Sequence, residues 1–159
     1  MLPTADERIR VGVADMAVTD ESRPLVTSGL GSCVAVVIHD ERGVGGLLHA
    51  MLPEAPETVD NPAKYVDSGI SQMVTELTRL GGDPNAFVAK VAGGSSMLDL
   101  GNGAPVGEKN AAATTAVLEA VDIDLVAEDT GGNAGRSVSF HPATGTMTIQ
   151  RVNADPIEL

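Results

Sequence analysis

Val34-Ala35-Val36-Val37-Ile38-His39-Asp40-Glu41-Arg42-Gly43-Val44-Gly45-Gly46-Leu47-Leu48-His49-Ala50-Met51 is the most informative stretch of the chain. Its first six residues form a continuous run rich in β-branched side chains, a buried strand by length and content. Asp40-Glu41-Arg42-Gly43 supplies turn-forming residues, and Val44 to Met51 returns as a second strand. Centring this hairpin on Glu41-Arg42 opposes positions whose numbers sum to about 83. Cys33 then lies near Ala50, and His49 becomes a cross-strand neighbour of the cysteine.

Working outward, Ile9, Val11 and Val13 alternate with Arg8, Arg10 and Gly12, the two-residue period of a half-buried strand. Downstream, Pro53 and Pro56 mark a loop, and Asn61-Pro62 reads as an N-cap followed by proline at the first helical position. A helix is predicted from there to Leu80, with Tyr65, Ile70, Met73, Val74 and Leu77 on one face and Gly81-Gly82 as its stop. Phe87 to Ala92 reads as a strand closed by the loop Gly93-Gly94-Ser95-Ser96, and a glycine-rich stretch runs from Gly101 to Gly107. Asn110 to Ala120 is a second helix, Asp122 to Ala127 a strand, and Glu128 to Asn133 a tight loop. Arg136 to Phe140 and Thr146 to Val152 form a hairpin around Pro142-Ala143-Thr144-Gly145. Strands with two interposed helices predict an α/β class: a β-sandwich or mixed-sheet core with two main helices packed outside. With no repeat or linker, residues 1–159 are expected to be a single domain.

Composition narrows the function. Aromatics make up 2% of the chain, so the core must be built from Val, Ala, Leu, Ile and Met. The net charge of −12 argues against a nucleic-acid partner and against an anionic membrane surface. Acid-rich, lysine-poor composition is also that of a protein working in a salt-rich cytoplasm, where a Debye length near 3 Å at 1 M screens self-repulsion. Met1 to Asp6 has no basic region followed by an apolar one, so no signal peptide is expected, and Val34 to Ile38 is far too short to span a bilayer. The single cysteine excludes an internal disulfide, and a cytoplasmic location is expected.

Cys33 is competent as a nucleophile only where a base or positive field and some solvent access accompany it. The preceding Gly29-Leu30-Gly31-Ser32 lets the backbone approach a substrate and turn N–H groups toward a developing oxyanion. A cysteine at a strand end is ordinarily a small buried hydrophobe, and a histidine among apolar residues a satisfied core group; spacing leaves both readings open. His39 and His141 abut turns and are expected to be solvated. One cysteine and three scattered histidines offer no ligand pair at helical or knuckle spacing, so no metal or other cofactor is expected. Gly93 to Ser96 is a candidate anion-binding nest but lacks the lysine of a phosphate loop.

Thr27-Ser28-Gly29-Leu30-Gly31-Ser32-Cys33-Val34-Ala35-Val36 resembles the signature of the CheD family, the chemoreceptor glutamine deamidases. Gly46-Leu47-Leu48-His49-Ala50-Met51-Leu52-Pro53 resembles that family's histidine motif, and Lys64-Tyr65-Val66-Asp67 the opening of its first long helix. Ala92 to Met97, Gly107-Glu108-Lys109-Asn110, and Ala127 to Asn133 with Gly135-Arg136 follow in family order. Ser28 stands where leucine is frequent, and Lys109 where arginine is. The resemblance implies a nucleophilic Cys33, a base His49 and an orienting Thr27, with Gly31, Ser32, Gly94 and Ser95 as the expected oxyanion and substrate-binding set. It implies hydrolysis of receptor glutamine side chains through a thioester, on the cytoplasmic helical region of a chemoreceptor. Two other roles compatible with the resemblance are docking of a CheC-type phosphatase and hydrolysis of receptor glutamyl methyl esters.

Overall fold

The computed structural model describes residues 7–96 and 104–159. The N-terminal Met1 to Asp6, Met97 and the first part of the Gly101–Gly107 stretch lie outside the described residues. The elements run β1 (Ile9–Arg10), β2 (Asp15–Thr19), β3 (Leu25–Leu30), β4 (Val34–His39), β5 (Gly45–Ala50), α1 (Val66–Arg79) and β6 (Val88–Gly93). They continue with α2 (Val106–Ala120), β7 (Asp124–Thr130), β8 (Arg136–His141), β9 (Thr146–Arg151) and β10 (Ile157–Glu158).

The strands form two five-stranded sheets, one in the order β1-β3-β8-β9-β10 and the other β2-β5-β4-β6-β7. Both helices pack on the second sheet, α1 over β5 and β2, α2 over β6 and β7. The second sheet is therefore the middle layer, and that explains the sequence of β4. Val34, Val36 and Ile38 face the helices together with Ile70, Met73 and Leu77. Ala35 and Val37 face the first sheet, among Leu25, Leu30, Leu47, Phe140 and Ile149. A strand sandwiched on both sides has no solvent face to be polar on, so its apolar run is continuous. The expected α/β class with helices outside a two-sheet core is what the chain adopts.

The β4–β5 hairpin forms with its register one residue from the expected one: Val34 opposes Ala50 and Ala35 opposes His49. Asp40 holds the turn. Its buried carboxylate accepts from the backbone N–H of Arg42 at 2.9 Å, Val44 at 3.2 Å and Asp83 at 3.2 Å. Asn61 caps a single 3-10 turn, Pro62–Lys64, and α1 itself starts only at Val66, leaving Tyr65 outside the helix at its N-cap.

Several expectations are corrected. The alternation at Ile9 to Val13 yields only a two-residue strand, β1, paired in parallel with β3. Glu128, Asp129 and Thr130 are not loop but the end of β7, where pairing with β6 extends them. His39 is only partly exposed: its ring centroid is 5.1 Å from that of Phe140, and Nε2 is buried without a partner among the described residues. No helix among the described residues is long and apolar enough to cross a membrane.

Candidate active site

Cys33 stands where the chain passes from the first sheet to the second. β3 belongs to one sheet and β4 to the other, and Gly31-Ser32-Cys33 is the whole connection. Pairing of β3 with β8 is interrupted between Thr27 and Leu30 by an irregularity containing Gly29, whose φ of +71° a side-chain-bearing residue adopts only with strain. The bulge lets Thr27 and Leu30 both be buried although they are an odd number of positions apart.

Thr27 and His49 meet across the layer between the sheets. Thr27 Oγ1 lies 2.7 Å from His49 Nδ1 and donates to the Val11 carbonyl at 2.7 Å. A threonine hydroxyl has one proton. With that proton on Val11, Thr27 accepts from Nδ1–H, and the neutral imidazole is fixed with its lone pair at Nε2. His49 is fully buried, and its Nε2 has no partner among the described residues. A buried acceptor without a donor is costly in a merely structural histidine and is what a base awaiting a proton requires.

Cys33 is half-buried and packs into the same inter-sheet core as Ala35 and Leu47. Because Ala35 opposes His49, Cys33 is two positions along from that pair on the same face, a diagonal neighbour at roughly 7–8 Å between Cα atoms. The small side chain of Ala35 leaves the imidazole room. Burial pushes the Cys33 thiol above its ordinary range, opposed in part by its own backbone N–H, and burial pushes His49 below the ordinary histidine value. Both shifts favour the neutral forms, thiol and imidazole.

Gly94 and Ser95 lie beside the Cys33 loop, and their N–H groups are engaged there: Gly94 N–H donates to Cys33 O at 2.8 Å and Ser95 N–H to Gly31 O at 2.9 Å. The Ser95 hydroxyl is buried with no partner among the described residues. Gly93 has φ +109°, and a Cβ there would run into the Cys33 carbonyl oxygen.

Two residues at the site carried no assigned role in the sequence. Asn110, fully buried on α2, donates through Nδ2 to Ser32 O at 2.8 Å and Met51 O at 2.9 Å. Arg136 on β8 pairs with Asp129 at 3.1 Å and donates to Gly131 O at 2.9 Å and Gly93 O at 3.3 Å, bolting the first sheet to the β6 and β7 ends. Arg136 left a signal, since it falls in phase with inward-facing Val138 and Phe140. Asn110 left only its place in the Gly107-Glu108-Lys109-Asn110 block that carries the resemblance, and its polarity in an alanine-rich helix.

A groove of about 490 Å³ on the first sheet is lined by Arg10, Val11, Thr27, Ser28, Ser139 and Gln150 among others, but neither Cys33 nor His49 lines it. Among the described residues no group of three or more His, Cys, Asp or Glu is placed to hold a metal ion.

The family model described as "CheD chemotactic sensory transduction" matches residues 51–151. A Haloarcula marismortui protein named "Probable chemoreceptor glutamine deamidase CheD" is 43% identical over 157 residues, covering 96% of this chain and 90% of its own. A Desulforamulus reducens protein of the same name is 41% identical over 159 residues, covering 96% of each chain. A Thermotoga maritima protein named "Chemoreceptor glutamine deamidase CheD" is 39% identical over 143 residues, covering 89% of this chain and 90% of its own.

Proposed function

Because this chain belongs to the CheD family, we propose that it deamidates glutamine side chains of chemoreceptors, with Cys33 as nucleophile and His49 as base. The observation that carries this reading is the His49 tautomer: Thr27 occupies Nδ1, and the lone pair of Nε2 is left without a partner in the layer that holds the thiol.

The reaction starts from a neutral pair. As Cys33 Sγ bonds to the side-chain carboxamide carbon, its proton passes to His49 Nε2 and the amide oxygen becomes an oxyanion. Nδ1–H stays on Thr27 Oγ1, which stabilises the imidazolium as it forms. Collapse of the tetrahedral adduct breaks the C–N bond. The amine leaves as ammonia with the proton from Nε2, and a thioester remains. Water attacks the thioester, His49 takes its proton, and breaking of the C–S bond releases glutamate and returns the proton to the thiol. The chain's charge of −12 gives no steering toward an acidic receptor stalk, so apolar contact around the site must supply the affinity. The substrate lies on the cytoplasmic region of the receptor, which places this protein in the cytoplasm on the same reading.

Mass spectrometry of a receptor cytoplasmic fragment incubated with the protein and with Cys33→Ala tests it. The expected result is an amide-to-acid mass change at specific glutamines with the wild type and none with the variant. No change on any receptor of the same organism, at matched salt, overturns the reading and leaves docking of a CheC-type phosphatase as the function to pursue. Release of methanol from a methylated receptor without amide loss turns it to the methylesterase.

A further inference from the structure

Three consecutive carbonyls precede or belong to the proposed nucleophile, and each is tied down. Gly31 O accepts from Ser95 N–H at 2.9 Å and Cys33 O from Gly94 N–H at 2.8 Å. These two bonds are backbone to backbone and need no particular side chain. The middle carbonyl, Ser32 O, is held instead by the Asn110 side chain at 2.8 Å. Both Asn110 Nδ2 hydrogens are engaged, the second on Met51 O at 2.9 Å, so the amide's orientation is fixed by two acceptors.

The Ser32 carbonyl shares its peptide plane with the Cys33 N–H. The chain has no cis peptide among the described residues, so the two point in opposite directions. Asn110 sits on α2, on the helical side of the second sheet, and draws Ser32 O that way. The Cys33 N–H therefore points away from Asn110, and the Cys33 side chain packs on the inter-sheet side, where Thr27 and His49 meet. Among the described residues no backbone acceptor takes the N–H of Ser32 or Cys33.

We propose that Asn110 is a positioning residue: by holding Ser32 O it aims the Cys33 N–H at the oxyanion formed when Cys33 attacks. This rests on the deamidase reading above. Asn110 touches no reacting atom; it acts through one peptide plane. Its neighbourhood is built for close seating, since Gly107, one turn earlier on α2, packs against the backbone of Gly94 and Ser95, where a Cβ would clash.

The test compares wild type with Asn110→Ala in three assays: receptor-fragment deamidation, binding of a peptide carrying a glutamic γ-semialdehyde, and alkylation of Cys33 by iodoacetamide. The aldehyde adds the thiol to give a thiohemiacetal whose oxygen sits where the oxyanion would, whereas alkylation displaces iodide at a saturated carbon and forms no oxyanion. The expected result is a kcat lowered roughly 10- to 100-fold with KM within about twofold, and aldehyde affinity weakened in step. The alkylation rate should fall far less than kcat, its pH profile moving upward only as far as the Cys33 N–H had favoured the thiolate. Unchanged kcat and aldehyde affinity overturn the proposal, and so does alkylation falling in parallel with kcat, because that marks a displaced thiol and a structural role. If Asn110→Ala does not fold, Asn110→Ser, which keeps one donor, carries the comparison. A wild type that binds the aldehyde yet deamidates no receptor fragment sinks the deamidase reading, and the aldehyde ratio still judges Asn110.

Discussion

Thr27→Val isolates the hydrogen bond that selects the His49 tautomer. The two side chains have nearly the same shape, so the buried layer between the sheets stays filled while a single hydroxyl is lost. Two bonds go with it, the one donated to Val11 O and the one accepted from His49 Nδ1, both 2.7 Å long and buried. Each strands a buried partner, at about 1–3 kcal/mol apiece. The unfolding free energy from urea titration is therefore expected to drop by about 2–4 kcal/mol, since strand ends relax part of the sum. Activity should fall further than stability accounts for. Without its acceptor the imidazole no longer favours the Nδ1–H form, and molecules with the proton on Nε2 have no base facing the thiol. A loss of roughly 100-fold in kcat is expected, below the ~10⁴ seen when a charged orienting partner is neutralised, because threonine contributes no charge. Imidazole ¹⁵N NMR reads the tautomer directly: protonated Nδ1 in wild type, a shifted ratio in Thr27→Val, and the wild-type pattern restored in Thr27→Ser. Retention of half the wild-type kcat, or an unchanged tautomer in Thr27→Val, refutes the reasoning.

Three further outcomes are expected. Iodoacetamide alkylation of folded wild type should accelerate through pH 9 with no plateau near neutrality, because burial raises the Cys33 pKa; a plateau below pH 8 would reveal a preformed thiolate–imidazolium pair. Stability should decline as pH falls below about 6.5. The unfolded chain binds protons on His39 and His49 before the folded chain does, their folded values being lowered by burial. The decline should be shallower in His39→Gln when followed by urea titration at successive pH values. Gly93→Ala should lower the thermal midpoint, since its φ of +109° is strained for alanine and the new Cβ meets the Cys33 carbonyl; about 1–3 kcal/mol is the expected cost, and an unaltered midpoint would mean the loop has room to shift.

The β4–β5 hairpin was legible because a strand covered on both faces must be apolar throughout, and α1 because Ile70, Met73 and Leu77 repeat at helical spacing. β3 was hidden by its own bulge: Ser28 and Gly29 break the two-residue alternation that would have announced it. β2 and β10 are short edge strands in which pairing, not side-chain pattern, makes the structure. Cys33 and His49 could be placed near each other from one hairpin, to within one residue of register. The Thr27–His49 contact could not, because its partners stand in different sheets 22 positions apart and nothing local encodes sheet-on-sheet stacking. Only the motif's resemblance singled out Thr27. Asn110 shows the same limit, since its partners Ser32 and Met51 are brought to α2 by tertiary packing alone.

Burial moves the Cys33 and His49 pKa values apart, thiol up and imidazole down, so the resting pair carries no charge. On the proposed mechanism, both charges of the first step, imidazolium and oxyanion, are created together inside a layer that is otherwise apolar. The barrier then depends less on thiolate supply than on dipoles already in place when those charges appear, because fixed dipoles in a poorly solvated site act without reorganising. On the same reading two buried polar side chains serve those two places: Thr27 would receive Nδ1–H on the imidazolium side, and Asn110 would aim the Cys33 N–H to the oxyanion side. A double variant lacking both should therefore lose about the product of the single kcat effects, since each acts on a separate charge. A double variant no slower than the worse single one would mean that both side chains serve one structural purpose, the seating of the Cys33 loop.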